Sequence, residues 1–170
     1  WYRGLAQTLI TQRKHLELES LFEEMVARAE DAESEKDYLL LQANSFIALD
    51  QALNAAANYE IVRRMGLGNS ESMGRLGDIY LNENQVELAT EAYIESIELD
   101  PEQSQDIPVN SANIMVGRGF WDNGQTLINT IRKVFGKNLL PENHLILLRL
   151  EAQVAIAVQA ESAIIIGFLE

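Results

Sequence analysis

Residues 70–103 restrict the fold more than any other part of the sequence. Two apolar segments with helical spacing lie on either side of the polar residues 82–84. Apolar residues four apart share one face of a helix, and small residues let two helix backbones approach closely. Pro101 ends the second segment, because the residue before a proline is disfavoured in helical dihedrals. The pattern predicts a helix–turn–helix hairpin, and its contact residues are Leu76, Gly77, Tyr80, Ala89 and Tyr93.

The same arrangement recurs one period upstream. Three residues stand 34 positions before their counterparts: Ala43 before Gly77, Ala55 before Ala89, and Tyr59 before Tyr93. Phe46 continues the apolar face of the first helix of this copy. Degenerate copies follow towards both ends, so the sequence predicts stacked hairpins in which each unit buries the apolar face of its neighbour.

The residues Leu76, Gly77, Tyr80, Ala89, Tyr93 and Pro101 resemble the signature of the tetratricopeptide repeat (TPR) family, whose unit is a hairpin of 34 residues. The resemblance implies an all-α fold, a right-handed α-solenoid. We expect one array of about five hairpins over residues 1–170, at approximately 1–32, 36–66, 70–100, 108–137 and 141–170. A helical bundle without repeats remains an alternative, because three of the five copies are degenerate.

The composition argues against catalysis. The chain has no cysteine, and its two histidines, His15 and His144, are far apart in sequence. Gly66 and Gly68 form a G-x-G without a third glycine or a preceding strand, which favours a helix-ending turn over a dinucleotide loop. We therefore expect a non-enzyme without catalytic, cofactor-binding or metal-binding residues. No apolar run approaches the ~18 residues of a membrane span, and a cytoplasmic and a periplasmic location both stay open.

The charge is strongly acidic and unevenly distributed. The formal net charge is −13, with −8 in residues 70–103 and +2 in residues 104–139. This balance disfavours nucleic-acid partners, which require a basic surface. Four acids spaced as one line along a helix form an acidic stripe, Glu87, Glu91, Glu95 and Glu98. The stripe is interpreted as a solvated face, with docking of a basic partner or pairing with Arg132 and Lys133 as alternatives.

The resemblance also implies where a ligand binds, since the first helices of successive TPR units line a concave groove. The groove residues expected here are Leu40, Asn44, Ile47, Asp78, Leu81, Asn113 and Val116. Asn44, Asp78 and Asn113 occupy the same site in three successive units. Such a polar ladder can hydrogen-bond the backbone of an extended peptide while the apolar residues accept its side chains. Ordinary surface positions are the competing interpretation.

Some TPR proteins hold the terminal carboxylate of a chaperone with lysine, asparagine and arginine side chains. In this sequence Leu40, Gly74 and Val109 stand where a lysine is required, although Arg75 fits. We therefore expect no binding of chaperone C termini.

The leading functional hypothesis is a protein-interaction scaffold that binds a peptide or helix of a partner in the groove. The first alternative is homo-oligomerisation through the end hairpins, where Trp1, Tyr2, Leu5 and residues 163–170 are apolar. The same alternative includes the acidic stripe binding a basic patch at Arg132, Lys133 and Lys137. A second alternative is the TPR arm of a larger enzyme or secretion component, and we expect the chain to be a segment of a longer protein.

Overall fold

All the regular structure of the described residues is helical. A computed structural model describes residues 2–12 and 14–169, with side chains at all of these positions except 3, 15, 16 and 160–169. This part of the chain contains no strand. Its α-helices are α1 (Tyr2–Thr11), α2 (His15–Ala27), α3 (Ala32–Ala48), α4 (Ala52–Arg64), α5 (Ser70–Asn82), α6 (Val86–Leu99), α7 (Asp106–Gly117), α8 (Trp121–Phe135) and α9 (Pro141–Leu169). A short 3₁₀ helix, Gly136–Asn138, separates α8 from α9.

The chain divides into two compact units, Trp1–Ile79 and Tyr80–Glu170, and the boundary lies inside α5. The first unit contains α1 to α4 and the beginning of α5. The second contains the end of α5 and α6 to α9. The expectation of one continuous array concerns both units together and stays a prediction.

The first unit buries the small and aromatic residues that the repeat pattern identifies. Ala43 and Ala55 are both completely buried, and their helices α3 and α4 pack against each other. Tyr59 keeps only 1% of its surface exposed and Phe46 only 9%. A second cluster joins α1 and α2 through Ala6, Leu9, Leu18, Leu21, Phe22 and Met25. Leu18 and Phe22 precede Ala55 and Tyr59 by 37 residues, so the degenerate first copy is also a hairpin.

The second unit packs α7 and α8 closely at one glycine. A Cβ atom added to Gly124 would lie 2.6 Å from Val116 Cγ2 and 3.5 Å from the Val116 backbone nitrogen. No larger residue fits there without movement, because real Cβ atoms do not approach other atoms so closely. Gly124 therefore fills the small-residue site that Ala55 and Ala89 occupy in the preceding hairpins.

Three hairpin turns share one backbone geometry. Their central residues have positive φ: Asp50 (59°), Asn84 (57°) and Gly119 (85°), spaced 34 and 35 residues apart. In each turn the next amide donates to a carbonyl five residues back: Gln51 to Phe46 (2.8 Å), Gln85 to Tyr80 (2.8 Å) and Phe120 to Met115 (3.0 Å). This is the Schellman motif, in which a left-handed residue lets the last helical carbonyls find donors. Gly66, with φ 71°, ends α4 in the same way, as its sequence context predicts.

The predicted fifth hairpin is wrong. Residues 141–169 form one continuous helix, α9, instead of two helices with a turn. Residues 144–166 contain no Gly, Pro, Asn or Asp, and these are the residues that turns of this kind require. The described part of the chain therefore ends in one long helix where a fifth hairpin was expected.

The second hairpin begins at residue 32, four residues before its expected approximate start at residue 36. α3 begins at Ala32, because the Asp31 carboxylate accepts a hydrogen bond of 2.7 Å from the Ser34 amide and caps the helix. Glu33 and Glu35 then lie in the first turn, where the helix dipole favours negative charge. None of the helices in the described chain is long and apolar enough to cross a membrane.

Candidate peptide-binding pockets

The expected groove residues divide into accessible and buried positions. Asn44, Ile47 and Asp78 are exposed, and Leu40 and Asn113 are half-buried. Leu81 and Val116 are 2% and 1% exposed, so neither can offer an apolar surface to a ligand as the sequence predicted. Both belong to the core of the second unit, and Val116 lies over Gly124 in the α7–α8 contact.

The first pocket lies in the first unit, between α3 and the start of α5. Its lining residues are Leu40, Asn44, Tyr59, Asn69, Glu71, Ser72 and Arg75. Asn69 and Ser72 shape its α5 wall by reciprocal capping: the Ser72 amide donates to Asn69 Oδ1 (2.8 Å), and the Asn69 amide donates to Ser72 Oγ (3.0 Å). One wall of the pocket is thus the fixed N terminus of a helix.

A buried tyrosine orients the asparagine of the first pocket. The Tyr59 hydroxyl donates a hydrogen bond of 3.0 Å to Asn44 Oδ1. Burial raises the pKa of Tyr59, so the phenol keeps its proton at neutral pH. Because Oδ1 is occupied, Asn44 Nδ2 is the atom that is left to donate to a ligand.

An ion pair closes the other side of the first pocket. Arg75 donates from Nε and Nη2 to Glu71 Oε1, at 3.1 and 2.9 Å, across one turn of α5. Both side chains are well exposed, and the pair leaves the Arg75 Nη1 group for other acceptors. The pocket therefore offers donors from Asn44 and Arg75 and acceptors from Glu71.

The second pocket lies in the second unit, between α7 and α9. Its lining residues are Asp106, Val109, Asn110, Asn113, Asn143, Ile146 and Arg149. Arg149 Nη2 donates to Asn113 Oδ1 at 2.9 Å. Asn143, which is only 2% exposed, donates from Nδ2 to Asp106 Oδ1 at 3.0 Å. As in the first pocket, an asparagine carbonyl is occupied and its amide group remains to donate.

The two pockets occupy the same place in their repeats. Val109 and Asn113 follow Leu40 and Asn44 by 69 residues, which is two repeat lengths. Each pocket combines an apolar residue, an asparagine and an arginine from the following first helix. Asp78 occupies the corresponding position in the repeat between them, and it is exposed. All three members of the predicted polar ladder are therefore accessible, and Asn44 and Asp78 belong to the first unit.

Several pocket residues were missed by sequence reasoning. Arg149 and Asn143 belong to α9, for which a hairpin was predicted, and their partners in α7 are 36 and 37 residues away. Asn69 and Ser72 carry a local signal, since asparagine and serine three residues apart at the start of an apolar segment form a typical helix cap.

The predicted basic patch is already engaged in part. Arg132 donates to both carboxylate oxygens of Glu151, at 2.6 and 2.9 Å, and thereby joins α8 to α9. The prediction that Arg132 pairs with the acidic stripe is therefore wrong. Within the stripe Glu95 is half-buried and the other three glutamates are exposed.

The end-hairpin surface is predicted partly from Trp1 and from the side chains of residues 163–170, which lie outside the described residues.

Comparisons with known proteins identify the fold. No protein-family model matches the chain, and no curated protein sequence matches it. The chain is similar to two crystal structures from Podosopora anserina, of a protein assigned as a kinesin light chain with nearly identical TPR-like repeats and of its single-substitution variant. In both cases the identity is 19%, the TM-score is 0.53, and the match covers 95% of this chain and 85% or 86% of the other. The chain thus has the TPR-like repeat fold, an all-α solenoid.

Proposed function

We propose that the protein is a non-catalytic scaffold that binds extended peptide segments of a partner protein at the first pocket and at the second pocket. One observation carries this proposal: the asparagine–arginine pocket recurs at the same repeat position in both units. A peptide backbone presents carbonyl oxygens and amides at regular intervals. Asn44, Asn113 and the two arginines can donate to such carbonyls, while Glu71 and Asp106 can accept from such amides.

The chemistry of the pockets favours an extended peptide over an apolar helix. A helix satisfies its own backbone and binds mainly through apolar side chains. Leu81 and Val116, which an apolar groove would need, are buried in the core. The remaining surface is rich in amides and charged groups, and it suits a ligand whose backbone needs partners.

The proposal can be tested by selecting binding peptides from a random display library with the whole chain as target. Asn44→Ala and Asn113→Ala should each weaken a selected peptide about twofold to tenfold, because each removes one hydrogen-bond donor. Asn129→Ala is the matched control, since Asn129 is an exposed α8 residue that pairs only with Gln125 among the described residues. Asn44→Ala also removes the acceptor of the buried Tyr59 hydroxyl and should lower the melting temperature, so peptide affinities are compared at a temperature at which all three variants are folded.

Two outcomes would contradict the peptide-scaffold proposal. One is a library that yields no peptide dependent on the folded chain. The other is a set of peptides whose affinity is the same for Asn44→Ala, Asn113→Ala and Asn129→Ala.

Homo-oligomerisation is the second candidate, and one observation favours it. α9 exposes Leu145 (66%), Leu148 (45%) and Ile156 (68%) at spacings of three and eight residues, which place them on one face. Sedimentation at increasing concentration tests this candidate. Leu148→Glu should abolish any self-association, and a chain that stays monomeric at every concentration rejects the idea.

A further inference from the structure

A third pocket lies in the first unit on the other side of α3. Its lining residues are Glu19, Glu23, Gln42, Phe46, Asn54, Ala57 and Asn58, and it holds about 630 Å³ of space including its mouth. Gln42 and Phe46 follow the first-pocket residues Leu40 and Asn44 by two positions. Two residues correspond to a rotation of about 200° around a helix, so the third pocket is separate from the first.

A buried asparagine directs an unused acceptor into the third pocket. Asn58 is only 8% exposed, and its Nδ2 donates to the Leu39 carbonyl (3.3 Å) and to Gln42 Oε1 (2.9 Å). A backbone carbonyl can only accept, so this contact fixes which end of the amide is the nitrogen. Asn58 Oδ1 therefore lies on the other side and receives no hydrogen bond from the described residues.

The Asn58 oxygen must reach the space of the pocket. Among the described residues, no fully buried side-chain nitrogen or oxygen lacks a hydrogen-bond partner. Oδ1 has no such partner and Asn58 lines the pocket, so the atom is open to the pocket interior. An accessible acceptor of this kind can be satisfied by water or by a donor of a ligand.

Two carboxylates stand at the mouth of the third pocket. Glu19 and Glu23 are one turn apart on α2 and both are exposed. Neither forms an ion pair within the described chain, and none of the pocket-lining residues is basic. Asn54 adds a further acceptor, because its Nδ2 donates to Gln51 and its Oδ1 is left over. Phe46 and Ala57 supply the apolar contacts of the pocket.

We propose that the third pocket binds a lysine or arginine side chain of a partner protein. The aliphatic stem would lie against Phe46 and Ala57, and the cationic head would donate to Glu19, Glu23 and Asn58 Oδ1. Charge complementarity supports this occupant, since residues 1–79 contain 13 acidic and 8 basic residues, a net charge of −5. This contact adds a second recognition site to the scaffold and does not depend on the first and second pockets.

The test is an NMR titration of the isotope-labelled full chain with N-acetyl-lysine methylamide and N-acetyl-arginine methylamide. N-acetyl-norleucine methylamide, which keeps the apolar stem without the charge, is the comparison ligand. Both cationic probes should cause saturable shifts of α2 and α4 amides and of the Asn54 and Asn58 side-chain amides. The absence of saturable shifts, or equal shifts with the norleucine probe, would overturn the proposal.

Two variants separate the pocket from general electrostatic attraction. Glu19→Gln with Glu23→Gln should weaken the cationic probes at least about tenfold, whereas Glu98→Gln with Glu102→Gln removes the same charge from exposed positions elsewhere and should have little effect. Ala57→Trp leaves every charge unchanged and places a bulky side chain at an exposed position that lines the pocket. It should therefore abolish the shifts. Equal loss in the two double variants, or unchanged binding in Ala57→Trp, would show that the pocket is not the site. Asn44→Ala should leave these titrations unchanged, so failure here is distinct from failure of peptide binding.

Discussion

The α3–α4 hairpin and α9 both carry apolar residues at helical spacing but have different structures. In α3–α4 the chain reverses at Asp50, and both small contact residues, Ala43 and Ala55, are completely buried. α9 continues without a break from Pro141 to Leu169, and it buries Leu147, Leu150 and Val154 against its neighbours. Among the described side chains of α9, Leu145, Leu148 and Ile156 stay exposed, because no second helix of the same hairpin covers them.

The difference shows what decides between a hairpin and a long helix in this chain. Apolar residues recur at helical spacing in both regions, so periodicity alone does not distinguish them. The hairpins have in addition a residue that tolerates positive φ at each turn, namely Asp50, Asn84 or Gly119. Residues 144–166 lack any such residue and contain many strong helix formers, so a continuous helix is favoured.

The largest expected effect is on a buried hairpin contact. Tyr59→Ala should lower the free energy of unfolding by about 3–5 kcal/mol, because it removes a large side chain that is 1% exposed. Leu145→Ala on the exposed face of α9 should change it by no more than about 0.5 kcal/mol. Chemical denaturation measures both. Equal effects would mean that α9 is covered in solution or that Tyr59 is not in the core.

A proline tests whether α9 is continuous. Ala155→Pro should cost up to about 3 kcal/mol and reduce the helical circular dichroism signal, since proline removes an internal hydrogen bond and clashes with the preceding turn. Ala52→Pro is the control, because Ala52 is the first residue of α4, where the amide has no helical partner. If Ala155→Pro is tolerated as well as Ala52→Pro, residue 155 lies in a turn and α9 is not one continuous helix.

The close contact between α7 and α8 predicts a smaller effect. Gly124→Ala should destabilise the chain by about 1–3 kcal/mol through overpacking, partly offset by the better helix propensity of alanine. Gly117→Ala is the matched control, since a Cβ there would meet nothing within 4 Å and the substitution should be neutral or stabilising. Thermal melts compare the two. A Gly124→Ala variant as stable as Gly117→Ala would show that the helices are farther apart than 2.6 Å implies.

Much of the hairpin repeat could be predicted from sequence, because its determinants are local. Small residues, turn residues and the spacing of 34 all lie within one or two hairpins, and Ala43, Ala55 and Tyr59 are buried as the pattern indicates. The signature residues of the clear repeat, Leu76, Gly77, Ala89 and Tyr93, are buried as well, while Tyr80 is half-buried.

The pockets could be predicted only in part. The positions of Asn44 and Asn113 follow from the repeat register, but their partners do not. Arg149 meets Asn113 only because α9 packs on α7, and no local pattern encodes that contact. The repeat register places Val116 on the ligand surface, because that position is usually open. The absence of a side chain at Gly124 lets α8 approach and bury it.

The turn itself can be tested at Asp50. Asp50→Val should destabilise the chain by about 1–2 kcal/mol, because a β-branched residue is strained at positive φ. Asp50→Gly should be neutral or slightly stabilising, since glycine adopts this conformation without strain. A destabilising valine together with a neutral or stabilising glycine in denaturant melts would confirm the left-handed turn. A valine that is tolerated as well as glycine would place residue 50 in ordinary helical or extended backbone.

The smallest expected effect concerns pH and the beginning of α3. The hydrogen bonds from Ser34 hold the pKa of the Asp31 carboxyl below its usual value. A lowered pKa in the folded state means that the carboxylate stabilises the fold above the unfolded-state pKa, and this contribution is lost as the pH falls through the folded-state pKa. Asp31→Asn keeps a capping oxygen but cannot titrate. The melting temperature of the unmodified chain should therefore fall more between about pH 5 and about pH 2 than that of Asp31→Asn. Parallel pH profiles for the two proteins would mean that Asp31 does not cap α3, and the α3–α4 hairpin would then begin nearer to residue 36, as its repeat register alone predicts.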